Sequence, residues 1–195
     1  MKKNYSFVNI IVPQEQYVEK REYDGMTIIL LDATKDGDMY RCVECSVSTS
    51  EYDASEVLEA YKAWKAKMEA MRLRQAKGAK IAEIEAYDTS SAVNGFKLNS
   101  MVVWLDKATR VGLMNSTTIA KDMGNKTTDL WLNGHHLTVD CDKAIALLSA
   151  LEMYALECFN VTASHKKAVE GMESVEEVEK FDVTDDYPTQ LEMSV

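Results

Sequence analysis

The fold class is decided by the stretch Leu130-Trp131-Leu132-Asn133-Gly134-His135-His136-Leu137-Thr138-Val139. Asn-Gly is the preferred residue pair of a type I′ hairpin turn, because both central residues of that turn need a positive φ. The stretch therefore predicts a β-hairpin with strands over 128–132 and 135–139. The strongly apolar segment that follows it predicts a core helix over about 141–159.

A weaker copy of this hairpin and helix precedes it in the chain. The matching segments are Phe96-Lys97-Leu98-Asn99-Ser100 with Leu130-Trp131-Leu132-Asn133-Gly134, and Asp106-Lys107-Ala108 with Asp142-Lys143-Ala144. The first copy predicts strands over 95–99 and 101–105, and a helix over about 107–123 that ends at Gly124.

The first third of the chain reads as strands followed by a long helix. β-like runs at 5–12, 26–33 and 39–48 predict three strands, and the last two form a hairpin around the turn-prone residues 35–38. Asp53 has the position of a helix N-cap, with Glu56 three residues later as in a capping box. The helix is predicted to run to about Lys77.

Gly78 offers a stop for this helix, although residues 80–86 could resume it after a kink. The helix carries apolar residues at steps of four, three, four and three, which is the pattern of a coiled-coil seam. These residues, called the seam below, are Val57, Tyr61, Trp64, Met68 and Met71. The same pattern also suits a helix packed against its own sheet, so both interpretations stay open.

The C-terminal part predicts short helices and an acidic tail. Thr162 is positioned to cap a short helix to Gly171, and Ser174 with Glu177 forms a capping box for a last helix to about Phe181. The tail from Asp182 onward is predicted to be extended, and ordered where Tyr187 and Leu191 find a surface.

Together these elements predict an α+β fold: N-terminal β strands, a long central helix, then a duplicated β-hairpin–helix unit closed by short C-terminal helices. The predicted organisation has a β-rich segment at 1–50, a helical connector at 51–87, and a hairpin-helix repeat domain with its acidic tail at 88–195.

Charge and composition argue against several classes of partner. The chain of 195 residues has 32 acidic and 22 basic residues, a net charge of −10, and residues 140–195 alone carry −9. Such a charge repels nucleic-acid backbones and anionic membranes. Apolar runs such as 28–31 are far too short to span a bilayer, and the N-terminus has no apolar centre of a signal peptide. We therefore expect a protein that stays in the cytoplasm, with four reduced cysteines.

The candidate chemical groups favour structural roles. Cys42 and Cys45 form a Cys-x-x-Cys pair, but on a strand their side chains point to opposite faces, which suits neither a metal nor a redox couple. His135 and His136 are adjacent on a predicted strand, so one should face the core and the other solvent. His165 is expected to pack or cap.

No recognised set of catalytic residues stands out from the sequence. It has no nucleophile elbow, no phosphate-binding glycine loop and no zinc-protease motif, so we predict no enzyme activity, no cofactor and no metal. Trp64, Trp104 and Trp131 are amphipathic side chains of the kind that interfaces favour, although core packing explains them as well.

From about Arg72 to the end, the chain resembles a family of uncharacterised domains encoded in phage and prophage genomes, often near tail and tail-fibre genes, including those of gut Bacteroides-type bacteria. The resemblance lies in Ala86-Tyr87-Asp88-Thr89-Ser90, Val93-Asn94-Gly95-Phe96, Trp104-Leu105-Asp106-Lys107-Ala108-Thr109-Arg110, Leu130-Trp131-Leu132-Asn133-Gly134, Leu148-Ser149-Ala150-Leu151-Glu152-Met153-Tyr154-Ala155, Asn160-Val161-Thr162 with His165, Val175-Glu176-Glu177-Val178-Glu179, and Asp182 to Leu191 with Tyr187-Pro188.

The resemblance implies a setting near phage tails and no particular activity, cofactor or site. The leading expectation is a non-enzymatic, tail-associated structural or adaptor protein. It would self-associate through its long helix or bind a phage tail protein. The resemblance implies that it is made in the bacterial cytoplasm, with the virion tail as a second location. An assembly chaperone or regulator that binds transiently through the acidic C-terminal segment is the alternative. An enzyme with an unrecognised site around His165 or a carboxylate is the third.

Overall fold

The structure is a computed structural model that describes residues 5–132 and 134–194. It has the predicted mixed α+β fold, with N-terminal strands, a long helix, and further strands and helices. The helices are α1 (Ala54–Asp88), α2 (Lys107–Asp122), α3 (Cys141–Gly171) and α4 (Val175–Lys180). The strands are β1 (Ser6–Pro13), β2 (Lys20–Tyr23), β3 (Met26–Asp36), β4 (Met39–Ser48), β5 (Phe96–Leu98), β6 (Met101–Val103), β7 (Thr127–Leu132), β8 (His135–Asp140) and β9 (Glu192–Met193).

The chain divides into two compact units, Met1–Arg72 and Leu73–Val195, and the division lies inside α1. The N-terminal unit is a four-stranded antiparallel sheet in the order β1-β4-β3-β2, with the first part of α1 packed on it. Ile29, Cys45 and Val57 form the centre of its core. Strand β2 was not predicted, because three of its four residues are charged and it lacks β-branched side chains.

The C-terminal unit contains the two predicted hairpins. β5 pairs with β6 and β7 pairs with β8, both antiparallel, and the short β9 adds to β5 in parallel. Asn99 and Ser100 have φ values of 47° and 69°, so both central residues of the first turn have the positive φ predicted for them. In the second turn Gly134 has φ 80°, whereas Asn133 lies outside the described residues.

Two apolar clusters form the core of the C-terminal unit. The larger one joins the hairpins to α3, through side chains such as Phe96, Leu130 and Leu151. The smaller one contains Ile84 from α1 and Val169 from α3. By length and apolar composition α3 is also long enough to cross a membrane, but a core helix of a folded unit has the same composition. Its ten buried residues pack inside the unit.

The structure settles one helix end that the sequence left open, and it shows that another predicted end is wrong. α1 continues through Gly78 to Asp88, because the residues beyond the glycine include the fully buried Ile84, and packing outweighs the roughly 1 kcal/mol that a helical glycine costs. α3 continues through 160–161 to Gly171. Thr162 lies inside this helix with 7% exposure and does not cap a second one.

The other local signals are confirmed. Asp53 accepts hydrogen bonds from the backbone N–H groups of Ser55 and Glu56 at 2.9 and 3.0 Å, as an N-cap does. Ser174 and Glu177 form the predicted capping box at the start of α4. In the tail, Tyr187 and Leu191 pack against the larger cluster, as expected.

Candidate functional site

The predicted seam lies on α1 within the N-terminal unit and has a buried and an accessible part. Val57 and Tyr61 are 2% and 6% exposed and pack against the sheet of their own unit. Trp64 and Met68 are half-buried, and Met71 is exposed. The first two residues therefore stabilise the unit itself, and the other three stay within reach of a partner. Self-association through the seam stays a prediction.

A groove of about 670 Å³ opens beside the accessible part of the seam. Trp64 and Met68 form one wall, and Ile11 of β1 and Arg41 of β4 lie among the residues that line the other parts. Phe7 extends the aromatic wall, with its ring centroid 5.6 Å from those of both Tyr61 and Trp64. The groove thus combines an apolar wall with a charged rim.

Asp32 ties the sheet to α1 at this groove. It lies at a β-bulge in β3, with φ 49°, a conformation that Asp tolerates better than most residues. Its carboxylate accepts hydrogen bonds from the Tyr61 hydroxyl at 2.7 Å and from the Lys65 ammonium at 2.5 Å. The bond from Lys65 lowers the pKa of Asp32, and burial raises the pKa of Tyr61. At neutral pH Asp32 is therefore ionised and Tyr61 keeps its proton. Asp32, Tyr61 and Lys65 together hold the sheet against α1 and are called the clamp below.

A second concave site, of about 440 Å³, lies in the C-terminal unit and is called the cleft below. Its lining comes from α3, from the first turn of α2 and the segment before it, from the end of α1, and from Asn94. Trp104 and the exposed Leu156 and Phe159 supply its apolar surface. Phe159 is 66% exposed and Leu156 is 48% exposed, and because they lie three residues apart on α3 they form a small apolar patch rather than isolated exposed residues.

Arg110 fixes one side of the cleft. Although charged, it is only 6% exposed. Its Nε donates to a carboxylate oxygen of Glu152 at 2.7 Å, its Nη1 donates to the carbonyl of Leu105 at 2.6 Å, and its guanidinium lies 5.3 Å from the ring centroid of Trp104. A buried charge is stable only with such partners. The guanidinium of Arg110 in turn holds the side chains of Glu152 and Trp104 in place.

The other acidic side chains of the cleft are also engaged. Asp106 caps α2 by accepting from the backbone N–H of Thr109 at 2.9 Å, and the hydrogen bonds from Thr109 lower the pKa of its carboxyl. Asp88 accepts from the Thr162 hydroxyl at 2.7 Å, and the Tyr187 hydroxyl lies 2.7 Å from the same oxygen of Thr162. The carboxylates of the cleft are thus already committed to contacts within the unit.

The cysteines of the predicted Cys-x-x-Cys pair are both buried and free, and they lie three residues apart on β4, hence on opposite faces as predicted. Burial raises the pKa of both Cys42 and Cys45, so both stay protonated thiols. Within residues 5–132 and 134–194, no group of three or more metal-ligating side chains comes together.

One histidine prediction is wrong and another is confirmed. His135 and His136 are both exposed, because the two-stranded hairpin β7–β8 buries Leu130, Leu132 and Val139 rather than a histidine. His136 lies 3.2 Å from Asp129 instead. His165 packs, as predicted, and it is 5% exposed.

The ring of His165 meets those of Phe181 and Tyr187 edge-on, with centroids 5.1 and 5.5 Å apart, so His165 anchors the C-terminal segment.

The three tryptophans differ in exposure: Trp64 and Trp104 are half-buried and Trp131 is 67% exposed. Sequence reasoning missed the Arg110–Glu152 pair. A lone arginine on the inner face of the predicted helix 107–123 was the available signal for it.

Residues 75–185 match the family described as Domain of unknown function (DUF4376). No curated protein and no solved structure matches the chain. The matched region covers more than half of the chain and includes α2, α3 and the whole lining of the cleft. The chain therefore belongs to this family of domains of unknown function.

Proposed function

We propose that this protein is a non-enzymatic, phage tail-associated adaptor that binds a partner protein through the cleft of its family domain. The phage setting comes from the sequence resemblance of the C-terminal two thirds of the chain. The binding mode comes from one observation, the open cleft in which Leu156 and Phe159 are exposed beside Trp104.

The composition of the cleft suits a protein interface. Aromatic side chains and arginine supply much of the binding energy at interfaces, because they offer large rigid surfaces with polar edges. Here Trp104 and Arg110 hold each other, so their side chains are ordered before a partner arrives. An ordered surface loses little conformational entropy on binding, which supports a specific contact.

The state of the polar groups supports binding over catalysis. A general acid or base must be able to give a proton to its substrate or take one from it. The side chains of Asp106, Glu152 and Arg110 instead form hydrogen bonds with neighbouring groups of the protein. Burial raises the pKa of Cys158, so its sulfur stays a thiol, a weak nucleophile. The cleft therefore offers shape and apolar area rather than reactive groups.

The tail association is tested by quantitative mass spectrometry of purified particles from an induced or infected host. We expect a fixed copy number of this polypeptide per particle. Abundance in the cleared lysate together with absence from particles would contradict the adaptor and favour an assembly chaperone or regulator.

The use of the cleft is tested in the same host with Phe159→Ser. The serine removes an exposed aromatic anchor without opening the core, so we expect at least a tenfold loss of the protein from particles at unchanged cellular abundance. The matched control is Met123→Ser, which changes a 77% exposed apolar residue of the same unit and should leave incorporation unaltered. Equal incorporation of both variants would contradict binding through the cleft.

A further inference from the structure

The C-terminal residues lie across their unit as an extended segment. Residues 187–194, called the strap below, contain β9, which pairs with β5 in parallel. The backbone N–H of Lys97 donates to the carbonyl of Leu191 at 2.8 Å. The backbone N–H of Asn99 donates to the carbonyl of Met193 at 3.0 Å. The strap is thus docked on the hairpin β5–β6, and it lies beyond the residues that match the family.

Tyr187, at the start of the strap, reaches the cleft through two hydrogen bonds, called the relay below. The Thr162 hydroxyl donates to the Asp88 carboxylate at 2.7 Å, and the carbonyl of Cys158 lies 3.1 Å from the same hydroxyl. Both neighbours are acceptors, and Thr162 has only one hydroxyl proton to give. The Tyr187 hydroxyl, 2.7 Å from the Thr162 oxygen, must therefore donate to it. The relay connects the strap to Asp88, which lines the cleft.

The surroundings of Tyr187 keep the relay in place. Burial raises the pKa of Tyr187, so its hydroxyl keeps the proton that it donates at neutral pH. Its ring meets those of Tyr87 and His165 edge-on, with centroids 5.1 and 5.5 Å apart. The hydroxyl thus has a fixed position, and loss of the hydroxyl alone would leave the ring packing intact.

A second contact of the strap holds the turn at 90–94. The side-chain amide of Gln190 donates to the carbonyl of Ser91 at 3.3 Å. Gly95 allows this approach, because a Cβ there would lie 2.6 Å from the Ser91 oxygen and 2.9 Å from the Gln190 amide nitrogen. Asn94 at the end of the turn lines the cleft. The strap therefore contacts two parts of the cleft wall, the end of α1 and this turn.

We propose that the strap positions the cleft, so that the cleft binds its partner tightly only while the strap is docked. Tyr187 and Gln190 are positioning residues, which act on the partner through Asp88 and through the turn at 90–94. When the strap leaves, both parts of the wall lose a fixed position, and a partner must order them again at an entropic cost. By linkage, a bound partner in turn stabilises the docked strap. This inference rests on the proposed function of the cleft.

The first test is amide hydrogen exchange of the full chain, which needs no partner. Tyr187→Phe and Thr162→Val each break the relay without removing a ring or a branched side chain from the core. We expect exchange at residues 88–94 to become about threefold to tenfold faster relative to exchange at Leu151, in the middle of α3. Gln190→Ala, which removes the second contact, should have the same effect within the turn.

Two variants serve as matched controls. Thr162→Ser keeps the hydroxyl of the relay and should exchange as the wild type does. Tyr87→Phe removes a hydroxyl outside the relay, from the ring that Tyr187 packs against, and should also exchange as the wild type does. Unchanged exchange at 88–94 in Tyr187→Phe and Thr162→Val would overturn the proposal whatever the partner is.

The second test measures these variants in purified particles beside Phe159→Ser. We expect Tyr187→Phe and Thr162→Val to lower incorporation about threefold to tenfold at unchanged cellular abundance, and Thr162→Ser to match the wild type. Full incorporation of both relay variants, with loss of Phe159→Ser from particles, would overturn this inference and leave the cleft as the binding site. Full incorporation of all three would contradict the proposed function, and the inference would fail with it.

Discussion

Asp32, Tyr61 and Lys65 show how three polar side chains stabilise a contact that apolar packing alone leaves loose. The central buried cluster of the N-terminal unit is small, and Asp32 adds two hydrogen bonds from α1 at its margin. Its left-handed backbone directs the carboxylate toward the helix, and the bulge provides that conformation. The cost of the conformation is offset by a charge-assisted hydrogen bond.

Asp32→Asn should remove an acid-dependent part of the stability of this unit. Asn also tolerates a positive φ, so the backbone is kept while the charge is lost. The pKa of Asp32 is lowered on folding, first by Lys65 and then by Tyr61. The carboxylate therefore stabilises the fold above its unfolded pKa of about 4, and this stability is lost as the pH falls through the lowered value.

The free energy of unfolding, from urea titrations at several pH values, checks this prediction. Because the Asp32 side chain is half-exposed, we expect wild type to exceed Asp32→Asn by less than about 1 kcal/mol at pH 7. The difference should shrink as the pH is lowered toward 2. In a Lys65→Met background the pH dependence of the difference should be smaller, and a difference that is constant with pH would contradict the role of the charge.

At the scale of single elements, α1 contains a glycine that its structure does not require. A Cβ at Gly78 would meet nothing within 4 Å, and its φ is not positive. Gly78→Ala should raise the free energy of unfolding by about 0.5–1 kcal/mol, because alanine loses less backbone entropy in a helix.

Gly124→Ala is the matched control for Gly78→Ala. Gly124 follows α2 with φ +86°, where an alanine is strained, so this variant should lose about 1 kcal/mol of stability. Urea unfolding of both variants beside the wild type measures the two effects. Equal effects of the two substitutions would show that backbone conformation does not decide them.

The elements that the sequence predicted well are those whose signals are local. The turn at Asn99 and Ser100, the cap at Asp53 and the capping box at Ser174 depend on residues within a few positions of one another. The continuation of α3 past 160–161 depends on packing instead. There, Cys158, Thr162, His165 and Val169 are buried at helical spacing, and this packing outweighs the low helix propensity of the residues around 160–161.

At the scale of the whole molecule, the two units differ in size and in core. The larger and smaller clusters of the C-terminal unit both lie between Leu73 and the C-terminus. Residues 73–195 should therefore fold alone, with cooperative urea unfolding at the same midpoint as the corresponding transition of the full chain.

A shorter fragment provides the control for this prediction. Residues 89–195 lack the last part of α1, including the fully buried Ile84 and the half-buried Tyr87. We expect this fragment to unfold at a lower urea concentration or without a cooperative transition, because both clusters lose side chains. Far-UV circular dichroism during the titration reports the result for both fragments. Identical unfolding of the two would show that α1 adds nothing to the unit.

The candidate sites could not be predicted at this scale, since their members are distant in the sequence. Arg110 and Glu152 are 42 residues apart, and Asp32 and Tyr61 are 29 apart. Their pairing depends on how α2 lies on α3 and on where a bulge falls in β3. Neither depends on a local residue pattern, so only the fold reveals the cleft and the clamp.

The strand order of the N-terminal sheet has a consequence for how the chain is made. β1 is synthesised first, but its partner β4 follows about 30 residues later. At the usual speed of translation, of order 5–20 residues per second, β1 leaves the ribosome roughly 2–6 s before β4. We expect β1 to remain without its partner strand during this interval, so that the sheet of the N-terminal unit forms only after β4 has emerged.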